Sequence, residues 1–213
     1  MRNYYNEQLE RLHEELIKMG AACEEIIALA AQSLTAYSPE LEEKTSQVGA
    51  EIDESESAIE SICLKLLLRQ QPVAGDLRQI SAAMKMITDM ERIGDQAEDI
   101  VDLIPRMEKG ERYAQIQEMA KAAQYMVTEA VNAYVKQDLR LAKVVMDYDD
   151  TVDDYFNRIK SDMIGMIAAD PSSGEGALDL LMIAKYFERI GDHCTNIAEW
   201  VEFSITGVHK DCQ

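Results

Sequence analysis

Phe187 to Trp200 reads FERIGDHCTNIAEW, and 97 positions earlier Met90 to Asp102 reads MERIGDQAEDIVD. Both keep Glu-Arg-Ile-Gly-Asp, a pair of carboxylates four residues apart with an arginine and a glycine between them. A motif repeated at that distance divides a chain of 213 residues in two, so the fold expected is one built by duplication.

The repeat extends outward from the motif. Met19/Met119, Ala22/Ala122, Leu41/Leu141, Asp53/Asp153 and Ile59/Ile159 are identical at an offset of 100. The change from 100 to 97 places a three-residue shortening near AADPSSGEG, in a connection where such a loss costs little. Leu9, Leu12, Leu16, Met19, Cys23, Ile26, Ile27, Ala30 and Leu34 recur at three or four, which predicts a first amphipathic helix ending near YSPE. A second runs from about Leu41 to Arg69, turning Val48, Ile52, Ile59, Ile62, Leu66 and Leu67 inward. RQQPVAGDLR breaks the chain, with Pro72 suited to the first turn of a third helix that Pro105 and Gly110 stop after Ile104. The fold class predicted is all-α: two tandem three-helix bundles, residues 1–108 and 109–213, six long helices in all. A helical solenoid fits less well, because its period is roughly 34 to 47 residues.

Composition narrows the partners. With 21 Lys and Arg against 40 Asp and Glu, the net charge is −19, which repels nucleic acid and anionic membranes and favours cations or basic protein surfaces. No apolar run approaches a membrane span, and the N-terminus lacks a secretory apolar core, so a cytoplasmic location is expected. Cys23, Cys63, Cys194 and Cys212 form no C-x-x-C pair; they fit a reducing compartment and argue against a zinc finger.

On a helix, residues four apart share a face, so Glu91, Asp95 and Asp99 form one stripe and Glu188, Asp192 and Asn196 another. Like charges so spaced oppose the helix by a few tenths of a kcal/mol per pair, about as much as an ion pair supports it. Arg92, Lys185 and Arg189 stand where they can offset that repulsion, as can a bound cation with hard oxygen ligands. In an antiparallel hairpin, residues equally far from the turn lie side by side. Centring the hairpins on Pro72 and beside Pro171 sets Asp149 opposite Asp192, Asp153 opposite Glu188, and Asp53 opposite Glu91. Four acids on two facing helices are costly without protons or metal, which favours a metal site. Gly94 and Gly191, in mid-helix, mark either ligand access or close helix packing.

RQQPVAGDLR before MERIGD, the second FERIGD, and the motifs EID (Glu51 to Asp53) and TVD (Thr151 to Asp153) resemble the PhoU family over nearly the whole chain. The resemblance implies E/D-x-x-x-D motifs that bind metal clusters, of iron, zinc, manganese or magnesium. It also implies a cytoplasmic, homodimeric, non-enzymatic negative regulator that links the phosphate ABC transporter ATPase to a sensor histidine kinase. Carried onto this sequence, the ligands are Asp149, Asp153, Glu188 and Asp192 in the second unit and Asp53, Glu91 and Asp95 in the first, with Asp99 and Asn196 continuing the stripes. Gly49 departs from the pattern, standing where the family has an acid opposite Asp95, and predicts a weaker first site.

Two other classes remain. A ferritin-like carboxylate-bridged metal oxidase needs two E-x-x-H motifs, and the sequence has one, Glu10 to His13, read as a surface coincidence. His193 lies about 100° off the acidic stripe. A metal-free helical interaction module, with the acids serving solubility, is the third class.

Overall fold

The computed structural model describes residues 2–70, 73–104 and 114–208. Among them are α1 (Arg2–Ala36), α2 (Pro39–Gln70), α3 (Ala74–Leu103), α4 (Ala114–Lys136), α5 (Leu139–Ala169) and α6 (Gly174–Thr206), and no strand. The boundaries have local causes. The Ser38 hydroxyl accepts from the Leu41 amide at 3.3 Å where Pro39 opens α2, and the Asp138 carboxylate accepts from the Arg140 and Leu141 amides at the start of α5. Gly207, at φ 77°, ends α6 in the left-handed conformation glycine tolerates. Pro72 lies outside the described residues; Val73 is the N-cap of α3.

The shortening falls in the connection, as expected. Residues 71–73 separate α2 from α3, whereas between α5 and α6 a 3-10 turn, Pro171–Ser173, occupies what corresponds to the first turn of α3. The Asp170 carboxylate caps that turn, accepting from the Ser172 amide at 2.9 Å.

Leu16, Met19, Cys23, Ile26, Ile27 and Ala30 are fully buried on α1, and at the same positions of α4 Ile116, Met119, Ala123, Met126, Val127 and Ala130 are buried. The front layer runs α2, α3, α6, α5, while α1 and α4 pack together behind it. α3 and α6 make the most extensive contact in the molecule and run antiparallel. Arg78 lies against Gly207, Asp89 bonds His193 and Asn196, and Asp99 bonds Tyr186. The two units are thus related by an approximate two-fold axis across the α3–α6 seam, and their apolar side chains merge into one core. Tyr134 of α4, fully buried, donates its hydroxyl to the Gln79 carbonyl of α3 at 2.9 Å across the boundary.

Candidate functional site

In the second unit the α5–α6 hairpin delivers the expected pairing. Burial, then Asp192, Asp153 and Glu188, push Asp149 up to about 6. Burial and then Glu188 raise Asp153, and burial and then Glu188 raise Asp192. Gly191 permits the approach: a Cβ there would stand 3.0 Å from Asp149 Oδ1 and 3.2 Å from Val152 Cγ1. Its role is therefore close packing of α6 on α5, beneath the carboxylate it faces. Lys185 answers part of the charge by pairing with Glu188, while its ammonium sits 5.5 Å from the Phe156 ring centroid.

The first unit holds Asp53, Glu91 and Asp95 together and adds two acids that the sequence reading passed over. Burial raises Glu91, followed by Asp95, with Glu56 and Asp53 adding to it against Arg92. Arg92 bridges Asp95 at 3.0 Å and Glu91 at 3.4 Å. Burial and then Asp53 raise Glu98, whose carboxylate occupies the space left by Gly49: a Cβ on Gly49 would lie 2.7 Å from Glu98 Oε1. The acid absent from α2 has thus reappeared on α3. Thr195 stands at the position of Glu98 in the second unit, and Phe156 at that of Glu56. Comparing the two motifs at an offset of 97 was the signal that could have found Glu98.

Asp99 and Asn196, which continue the stripes, turn to the α3–α6 seam. Asn196 donates to Asp89 Oδ1 at 3.2 Å beside His193, whose Nδ1 lies 2.9 Å from the same oxygen. The Tyr186 hydroxyl donates to Asp99, while burial and then Asp95 raise that carboxyl. Asp99 also lines an open groove of about 490 Å³ with Glu42, Glu98 and Asp102. His13 is no surface coincidence: its ring meets Tyr134 edge-on at 5.6 Å, and burial lowers its pKa.

Among the described residues no three His, Cys, Asp or Glu side chains converge closely enough, as they stand, to enclose a metal ion. The donor chemistry nonetheless fits a hard cation. Both hairpins hold carboxylates that burial and mutual repulsion drive toward protonation, hard oxygen donors of the kind such a cation takes.

An internally duplicated, all-helical protein with an acidic cluster in each half is the class these features define. The chain belongs to the PhoU family, whose domain matches it twice, over residues 16–104 and 116–201. It is 34% identical over 215 residues to a phosphate-specific transport system accessory protein PhoU homolog of Clostridium acetobutylicum, with 99% of this chain and 98% of that relative covered. A Pseudomonas aeruginosa homolog of the same name is 31% identical over 207 residues, covering 95% and 86%. The crystal structure of PhoU from Pseudomonas aeruginosa superposes with a TM-score of 0.88 at 31% identity, over 96% of this chain and 100% of that one. PhoU from Streptococcus pneumoniae, at 24% identity and the same TM-score, shares the fold. No helix among the described residues is long and apolar enough to cross a membrane.

Proposed function

We propose that this protein is a non-enzymatic accessory of a phosphate transport system that restrains phosphate-starvation signalling from the cytoplasm. It would do so as a homodimer that couples the transporter ATPase to a sensor histidine kinase. The observation that carries this reading is the full-length match to relatives named as accessory proteins of phosphate-specific transport. Its surface supports it: a net charge of −19 suits complementary basic faces on both partners. Deleting the gene and following a phosphate-starvation reporter at high phosphate tests it. Constitutive reporter activity is expected, and a reporter that stays silent would overturn the reading.

Within that role, Asp149, Asp153, Glu188 and Asp192 would hold a divalent or iron ion, and Asp53, Glu91, Asp95 and Glu98 a second. When bound, the ion supplies positive charge that locks each hairpin, α5 to α6 and α2 to α3. The protein's own part is to present deprotonated oxygens and to move the Lys185 ammonium aside. Elemental analysis of natively expressed protein, with Glu188→Gln/Asp192→Asn beside wild type, should show metal in the wild type and a deficit in the variant. Equal content would remove the assignment. The absence of a tight three-ligand cluster among the described residues favours a second reading, a metal-free interaction module; it predicts no bound metal in either protein.

A further inference from the structure

The duplication makes each unit a control for the other. Between α2 and α3 the first unit has an open groove of about 490 Å³ whose lining includes Glu42, Glu98, Asp99 and Asp102. At the offsets of 100 and 97 the matching residues are Ala142, Thr195, Asn196 and Glu199, so three of the four acids belong to the first unit alone. The Glu-x-x-x-Asp motif, by contrast, is common to both halves. Ser46 on one wall and Gln96 on the other stand about two turns inside the ends of α2 and α3.

Arg92 also lines the groove, but its guanidinium is held by Asp95 at 3.0 Å and Glu91 at 3.4 Å. Arg189 approaches Asp99 from α6. The hydroxyls of Tyr37, Ser46 and Tyr186 donate to Glu42, Glu98 and Asp99, which orients those carboxylates without neutralising them. Beside them Gln96 is 7% exposed, and its amide oxygen is buried without a hydrogen-bond partner. The second unit shows why. There His193, which matches Gln96, bonds Asp89; the residue that matches Asp89 is Tyr186, and it donates to Asp99 instead. Gln96 thus brings to the groove it lines a buried acceptor that a ligand N–H group satisfies.

We propose that this groove binds a linear aliphatic polyamine, extended along α3. Shape and donor chemistry select that class. Asp95, Glu98, Asp99 and Asp102 all line the groove, at i, i+3, i+4 and i+7, a row about 10 Å long with steps of about 5 to 6 Å. The ammonium groups of such a ligand, separated by three or four methylenes, recur about every 5 to 6 Å. A single metal ion instead needs several oxygens at one point, and among the described residues no three His, Cys, Asp or Glu side chains converge in that way. Each ammonium also carries two or three N–H donors, so one of them can meet an acid and the Gln96 oxygen together.

Isothermal titration of spermidine, a trication, into the full chain as purified is the test. Binding of one molecule per chain is expected. Asp102→Asn should weaken it by about fivefold or more, and Gln96→Leu by about fivefold with the charge unchanged. Glu54→Gln, an equal loss of charge at an exposed position outside the groove, should bind as the wild type does, with circular dichroism the same in all. No saturable binding, wild-type affinity in Gln96→Leu, or a loss in Glu54→Gln equal to that in Asp102→Asn overturns the proposal, the last by revealing a diffuse counterion cloud. A capped trilysine peptide of the same charge that binds more tightly would overturn the choice of ligand and assign the groove to a lysine-rich protein segment. Neither Gln96 nor Asp102 belongs to the metal reading, so either result stands apart from it.

Discussion

Asp149 concentrates the electrostatic cost of the α5–α6 acidic cluster in one side chain. Its carboxyl titrates near 6 in the folded chain against 3.8 ordinarily, so the folded protein keeps a proton through a window in which the unfolded chain has lost it. The contribution of Asp149 to stability is therefore full below about pH 4, falls as pH rises toward 6, and is level above. Asp149→Asn should flatten that fall and raise stability at pH 7 by about 1 kcal/mol, after discounting for the solvent that reaches this half-buried group. Urea denaturation of both proteins at pH 4 and pH 7 checks it; parallel curves would place the strain elsewhere. Lys185→Met removes the one ammonium paired with Glu188. It should lower the stability of the metal-free protein and tighten Mn²⁺ in isothermal titration; weaker Mn²⁺ binding would show that the lysine organises the site instead. The pairing of Asp149 with Asp192 and of Asp153 with Glu188 was legible, because an antiparallel hairpin obeys simple counting from its turn. The lysine's answer to that charge was legible only as a spacing of three, since sequence spacing does not show the Phe156 ring of α5 that its ammonium also lies against.

At the level of the element, the two hairpins carry similar charge on different helices. Asp149 sits on α5, whereas its counterpart position in α2 is Gly49 and the compensating acid, Glu98, is on α3. Periodicity exposed the empty position but not its filling, because the side chain that fills it comes from a neighbouring helix. Gly49→Ala should be neutral or stabilising by up to about 1 kcal/mol, since the Cβ meets only the flexible end of Glu98 and alanine is the better helix former. Gly49→Asp should fall below Gly49→Ala, because it sets two carboxylates in contact. Adding Glu98→Thr to Gly49→Asp, which copies the second unit, should recover the loss. Chemical denaturation of the three variants orders them, and Gly49→Asp at or above Gly49→Ala would show that Glu98 does not crowd the site. The helix spans were likewise legible from apolar spacing.

For the whole molecule, the sequence offered two bundles, and the structure joins them through α3 and α6 into a common core. Apolar spacing reports which face of a helix is buried and is silent on which helix buries it, so the seam could not be read beforehand. Its consequence is cooperativity. Trp200, the sole tryptophan, lies on α6 with the Lys85 ammonium of α3 5.9 Å from its ring centroid. Its fluorescence should therefore change at the same urea concentration as the far-ultraviolet dichroism that reports all six helices. Separate midpoints would mean that the units melt independently.

The antiparallel crossing also gives the molecule two poles. The start of α3 lies beside the end of α6, where Arg78 meets Gly207, and the end of α3 lies beside Tyr186 of α6, where it bonds Asp99. At 1.5 Å per residue, the 30 residues of α3 span about 45 Å. The protein is thus a strut whose like ends face away from each other, and anything that engages both is held at a fixed distance set by the length of one helix.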